Sequence, residues 1–224
     1  IEVFDSTCAV MIVMDGCTFS GNKAGGHGGA IYINGRDKTT YNNPTIIRSC
    51  RFTANECEKD GSAIYVNEDN TVLADCTVTG NTAGADGAVY VDSMYDINVK
   101  GLMTIKDNTS RQGKNHDLVL QNGTASKAQI YSGGMYSGSY ISIASTGSSK
   151  VRMSPEISQY QMQYFQPERG TISYVHTKDV NSGIITSSVF GNGLVIAMIA
   201  IAAAGILIIL IFWFRRRRKE GTEK

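Results

Sequence analysis

Short runs of alternating apolar and polar residues recur along the first two thirds of the chain. In CTFS (17–20), CRFT (50–53) and CTVT (76–79), the Cys and the Phe or Val two residues on share one face; Thr18, Ser20, Arg51, Thr53, Thr77 and Thr79 share the other. Met103 and Ile105, with Thr104 and Lys106 opposite, form a fourth copy. A period of two is that of a half-buried strand. A second run obeys the same rule: Ile31 and Ile33, Ile64 and Val66, Val89 and Val91, and Leu118 and Leu120 face inward, which puts Ala30, Ala63, Ala88 and Asp117 outside. A third run, TVLADC or INVKGLM, precedes the Cys position and is expected to turn Val72 and Ala74, or Ile97 and Val99, toward the core.

These runs hang on a repeat. Asn22, Asn55, Asn81 and Asn108 follow one another at intervals of 33, 26 and 27 residues. A period of roughly 20 to 50 residues marks a solenoid, a propeller or an array. A propeller needs about four antiparallel strands per blade joined by hairpins, and the Asn-Gly and Asp-Gly pairs fall too irregularly for that. Three short strands per unit, with no segment of helical period, predict an all-β chain whose residues 1–145 form a right-handed parallel β-helix. Equivalent residues of successive coils then stack about 4.8 Å apart and form ladders. Cys17, Cys50 and Cys76 would fill one small apolar slot, and Asn22, Asn55, Asn81 and Asn108 would bond along the stack where the chain turns. Tyr32, Tyr65 and Tyr90 would make an outward aromatic ladder, a candidate platform for sugar rings. KAGGHGG and ECEKDGS would enlarge a loop on the side where repeat proteins place recognition.

FSGN (19–22) with GGAI (28–31), and FTAN (52–55) with GSAI (61–64), resemble the paired F-x-x-N and G-G-A-[ILV] repeats of chlamydial polymorphic membrane proteins and of similar bacterial and trichomonad surface proteins. VTGN with DGAV is a weaker copy, and YSGGMYSGSYISIAS is similar to the terminal coils of β-helical surface proteins of gut bacteria. The resemblance spans about residues 10 to 145 and implies a surface-displayed β-helix of adhesin type. It does not extend to an autotransporter barrel, so outer-membrane secretion is not implied.

Composition supports turns over helices, with 24 Gly against three Pro. Net charge is +1, yet residues 215–224 carry six of the 21 Lys and Arg and two of the 20 Asp and Glu, leaving the remainder mildly acidic. That balance excludes an electrostatic footprint for nucleic acid. Residues 146–188 keep apolar alternation without the repeat and are expected to form a terminal coil and cap. Residues 193–214, GLVIAMIAIAAAGILIILIFWF, carry no charge. At about 1.5 Å per residue such a helix crosses a roughly 30 Å hydrocarbon core. Trp213 at its edge and Arg215, Arg216, Arg217 and Arg218 behind it predict a single-pass anchor in the cell membrane, N-terminal part outside and tail 215–224 in the cytoplasm. The lipid bilayer is one expected partner; an extracellular ligand, a glycan or a neighbouring surface protein, is the other. The chain opens in strand at Ile1, so further sequence is expected upstream.

Chemistry is sparsely represented. Five Cys show no C-x-x-C pair, and Cys57, read as a loop residue, is the expected reactive thiol. Asp60 and Asp86, with Lys59 nearby, stand in corresponding turns and are the carboxylates a polysaccharide-active enzyme would use. Aspartate in a Gly-rich turn more commonly bonds backbone, so no catalytic residue, cofactor or metal is expected, and His27, His116 and His176 are read as surface residues. Asn108 and Asn122 head N-glycosylation sequons. The reading is therefore a membrane-anchored surface protein for adhesion or ligand binding, with a polysaccharide enzyme or a spacer for an upstream domain as the alternatives.

Overall fold

A computed structural model describes residues 1–5, 11–35, 44–68, 70–92, 95–113, 116–121, 129–146, 150–153, 160–168, 171–175 and 183–188. The chain divides into two compact units, Ile1–Ser187 and Ser188–Lys224. Apart from Ser188, the second unit lies outside the described residues, and with it the anticipated span 193–214, Trp213 and Arg215 to Arg218. Among the described residues no helix is long and apolar enough to cross a membrane.

The first unit is a parallel β-helix. Strand β1 (Glu2–Asp5) precedes a coil made of β2 (Ile12–Asp15), β3 (Thr18–Ser20), β4 (Lys23–Ala24) and β5 (Ile31–Gly35). The second coil is β6 (Thr45–Arg48), β7 (Arg51–Thr53), β8 (Glu56–Cys57) and β9 (Ile64–Asn67). The third is β10 (Thr71–Ala74), β11 (Thr77–Thr79), β12 (Thr82–Ala83) and β13 (Val89–Val91), and the fourth is β14 (Asp96–Gly101), β15 (Thr104–Ile105), β16 (Thr109–Ser110) and β17 (Leu118–Gln121). Then come β18 (Gln129–Met135), β19 (Tyr140–Thr146), β20 (Lys150–Met153), a 3-10 turn (Gln161–Tyr164), β21 (Phe165–Pro167), β22 (Thr171–Val175) and β23 (Gly183–Ser188). The strands of the coils pair in parallel with their counterparts one coil on, as in Phe19↔Phe52 and Ile31↔Ile64, whereas β20 and β23 pair antiparallel.

Each coil thus has four strands, not three. The extra one, β4, β8, β12 or β16, is two residues long and directly follows the Asn. KAGGHGG and ECEKDGS form this fourth wall and are tied to one another: Glu58 N–H bonds the Ala24 carbonyl, and Lys59 N–H the Gly26 carbonyl, both at 3.1 Å. They are not protruding loops. The longer first interval arises elsewhere. Ile33 pairs with Val66 and Ile46 with Val72, so the seven additional residues lie between β5 and β6.

The core is a column of like residues. Phe52, Ile31, Ile33, Ile47, Ile64, Leu73, Ile97, Met103, Ile105, Leu118 and Leu120 are fully buried, and the Phe19 and Phe52 rings stack 4.8 Å apart at 4°. In β10 the inward pair is Thr71 with Leu73, not Val72 with Ala74. Counting back from Cys76 misplaces the parity, because Asp75, at φ 53°, turns the chain at a one-residue corner; the fourth coil has one more residue there, so Ala74 pairs with Lys100 but Thr77 with Thr104. Ala30, Ala63 and Ala88, expected outside, are buried at 2%, 0% and 0%, and Asp117 at 6%.

Candidate functional site

Two turn ladders organise the side chains. Each Asn follows a residue with positive φ, namely Gly21 (68°), Ala54 (55°), Gly80 (67°) and Asp107 (58°), which swings the chain around a corner in one step. The Asn amide then bonds up and down the stack. Nδ2 of Asn22 donates to Oδ1 of Asn55 (2.8 Å), Asn55 to Asn81 (2.8 Å) and Asn81 to Asn108 (2.9 Å). Asn108 Nδ2 donates to Asp117 Oδ1 at 2.6 Å, so the carboxylate expected on the surface closes the ladder. Every acceptor oxygen also takes the backbone N–H of the preceding ladder residue, at 3.0–3.1 Å. Asn108 Nδ2 further reaches the Val78 and Lys106 carbonyls (3.1 and 3.0 Å), so its buried amide is fully engaged and unsuited to glycosylation. Asn122 lies outside the described residues.

The sulfur column works the same way. Cys17 N–H points at Cys50 Sγ and Cys76 N–H at the Met103 sulfur, both at 3.4 Å, and Met103 N–H at Ser139 Oγ, 3.1 Å. The Cys50 and Cys76 thiols donate to the Arg48 and Ala74 carbonyls (3.1 and 3.2 Å). Burial pushes the Cys76 pKa up to about 12 and raises that of Cys50 as well. Cys57 is no loop thiol: it points inward at 1% exposure, donates to the Lys59 carbonyl (3.2 Å), and burial lifts it to about 11. These are inert packing thiols, not nucleophiles. Cys8 lies outside the described residues.

Tyr32, Tyr65 and Tyr90 do stack, with centroids 5.2 and 5.4 Å apart. They do not form an open platform. Tyr65 and Tyr90 are 7% and 6% exposed and make a second small apolar cluster with Val119, covered in part by the His27 ring 4.4 Å from Tyr65. The Tyr65 hydroxyl donates to Asp92 at 2.7 Å, and burial is the first cause of the raised pKa of both rings. Tyr32 stays half-buried and, with Lys23, His27, Gly28 and Gly29, lines an open groove of about 470 Å³.

His27, Asp60 and Asp86 stand in one column on successive coils. His27 Nδ1 lies 3.3 Å from Asp60 Oδ2 and 3.4 Å from the Asp60 N–H, and Asp60 Oδ1 accepts the Asp86 N–H at 3.0 Å. Burial lowers the His27 pKa more than Asp60 raises it, which keeps the imidazole neutral near pH 7. With neutral His27 the ring accepts the Asp60 N–H, so both side chains bridge coils through backbone. Lys59 donates its N–H to the Gly26 carbonyl, and the His116 N–H is held by Glu168 at 2.8 Å. His176 lies outside the described residues. No group of three or more His, Cys, Asp or Glu suited to a metal occurs among the described residues.

Residues 16–34, from the αL glycine before Cys17 into β5, match the Chlamydia polymorphic membrane protein repeat. The chain is a parallel β-helix with repeats of this type. The match covers β3, β4 and most of β5 of the first coil, where the F-x-x-N and G-G-A-I elements place Phe19 and Ile31 in the core and Asn22 at the head of the amide ladder. Two of its glycines have a steric reason: a Cβ on Gly29 would sit 2.1 Å from the Ser62 carbonyl oxygen of the next coil, and one on Gly28, at φ 67°, would sit 2.5 Å from the Ile31 carbonyl oxygen. No curated protein and no solved structure matches the chain.

Proposed function

We propose that the chain forms a single-pass cell-surface protein whose β-helix presents a binding surface for adhesion. The observation that carries this reading is the polymorphic membrane protein repeat seated in a parallel β-helix. The uncharged stretch 193–214 with its basic follower supplies the anchor. The ladders support a binding role over catalysis, because their polar side chains are spent on coil-to-coil bonds: Asn55, Asn81 and Asn108 are buried, and Asp60 holds the Asp86 backbone. Recognition then falls to outward side chains, whose spacing the solenoid sets.

The test is to express the full chain with one epitope tag before Ile1 and another after Lys224. On intact cells the first tag should bind antibody and the second only after permeabilisation, and displaying cells should adhere to a polysaccharide-coated surface more than cells without the chain. A chain recovered from the soluble fraction, or one with both tags on the same side, would overturn the proposal.

A further inference from the structure

The ladder β3, β7, β11, β15 and β19 turns one face away from the core. Register places Thr18, Arg51, Thr77, Thr104 and Tyr140 in one column of that face, and Ser20, Thr53 and Thr79 in the next, followed by Lys106 after β15. Thr18, Ser20, Arg51, Lys106 and Tyr140 are exposed and the others half-buried. No side chain of the two columns is acidic. The nearest described carboxylate to Lys106 is at the following turn, with Asp107 Oδ2 3.5 Å from Nζ. The same ammonium stands 5.7 Å from the Tyr140 ring centroid. Beyond Tyr140 the surface runs on into Leu102 and Tyr136, exposed at 49% and 65%. These two are set by a turn closed by Ser139 N–H on the Tyr136 carbonyl (3.1 Å), with the Leu102 methyl lying over Gly138.

Strand preference accounts for threonine on an outer face. It does not account for a guanidinium among hydroxyls or for two exposed tyrosines at the end of the lane. Hydroxyl ranks repeat about every 4.8 Å along the solenoid, comparable with the repeat of an extended pyranose chain. Threonine and serine hydroxyls match sugar hydroxyls as donors and acceptors, an arginine fork takes a carboxylate through two parallel bonds, and a tyrosine ring packs on the apolar face of a sugar. We propose that this face binds an extended acidic polysaccharide lying along the solenoid axis, Arg51 taking a sugar carboxylate and Tyr140 stacking on a ring. The inference rests on the surface-binding reading above and names the ligand class.

The experiment measures binding of the full chain in detergent micelles to polygalacturonate, with dextran as the neutral chain and polyphosphate as a polyanion without sugar rings. Polygalacturonate should bind and dextran and polyphosphate should bind far more weakly. Arg51→Gln should cost about tenfold in affinity and Tyr140→Ala about fivefold, while Tyr140→Phe, which keeps the ring, should retain binding. All three variants should keep the thermal midpoint of the parent, since these side chains lie outside the core. Absence of polygalacturonate binding, binding indifferent to both Arg51→Gln and Tyr140→Ala, or equal binding of polyphosphate would each overturn the proposal. The tag-accessibility test is unaffected by these variants, so failure here leaves the surface reading standing or falling by itself.

Discussion

Asn81 illustrates how much a single amide holds. Its oxygen accepts the Asn55 N–H and Asn55 Nδ2, and its nitrogen donates to the Phe52 and Thr79 carbonyls and to Asn108 Oδ1, one of its two protons being shared. A buried polar group left unsatisfied costs about 1–3 kcal/mol, so Asn81→Ala should destabilise by about 3 kcal/mol or more in urea unfolding. Asn22→Ala, at the exposed end of the ladder, should cost about 1 kcal/mol. Equal losses at both sites would show that the ladder is not cooperative. The thiols make a pH prediction. Cys57 and Cys76 are raised from an ordinary 9.0 to about 11 and about 12 in the folded chain. The folded state therefore holds their protons more tightly, and this stability is full below pH 9 and is lost as pH climbs through 11 and 12. Burial of Tyr65 and Tyr90 pushes the same way. The melting temperature should fall between pH 8 and pH 11, and thiolate absorbance should lag that of the denatured chain; ionisation of all thiols near 9 would contradict this. The Asn and Cys columns were legible in the sequence because each residue recurs at one offset. The burial of the tyrosines was not, since period two tells which face a ring occupies but not what lies over that face.

At the scale of the element, corners matter more than strands. A single αL residue makes each turn before Asn, and glycine occupies it in the first and third coils, whereas Ala54 holds φ 55° in the second. An L-residue there costs about 1–2 kcal/mol, partly offset by the extra freedom glycine has when unfolded. Ala54→Gly should accordingly stabilise by about 0.5–1 kcal/mol, read as a higher urea midpoint at unchanged slope. A loss of stability would mean that the Ala54 methyl makes a contact worth more than the strain. The two-residue strands β4, β8, β12 and β16 escaped the sequence pattern because two residues carry no measurable period. The parity of β10 was misread because the one-residue corner at Asp75, φ 53°, breaks the alternation between Leu73 and Cys76; the fourth coil has one more residue at its corner, where Asp75 Oδ1 accepts the Leu102 N–H at 2.8 Å.

For the β-helix as a whole, the decisive event is the loss of one wall. β19 pairs with β15 through Tyr140 and Ile141 and with β17 through Ile143 to Thr146, bypassing the segment that carries β16 and the ladder Asn108. The N–H groups of His116 and Asp117 then face no next coil. Glu168, just past β21, takes them at 2.8 and 2.6 Å, and burial raises its own pKa. Glu168→Ala should strand both donors and cost about 2–4 kcal/mol, with hydrogen exchange at His116 and Asp117 rising first, whereas Glu168→Gln keeps an acceptor and should cost less. Unchanged exchange at both amides in the alanine variant would remove Glu168 from the cap.

Repetition is what made the architecture readable from residues alone. Equivalent positions in a solenoid share one environment, so each coil is an independent reading of the same rule, and strand order, inward residues of the Cys and Ala-aliphatic runs, and the amide ladder followed from it. Whatever broke the repeat depended on the tertiary structure. Asp117 closing the Asn ladder, Ser139 closing the sulfur column and Glu168 covering the last coil each stand at a position with no second copy to compare, and their partners are distant in sequence or of a different residue type. The alignment of Tyr140 with Arg51 in one column belongs to the same class, because the register that links them runs through two intervening coils, at Thr77 and Thr104.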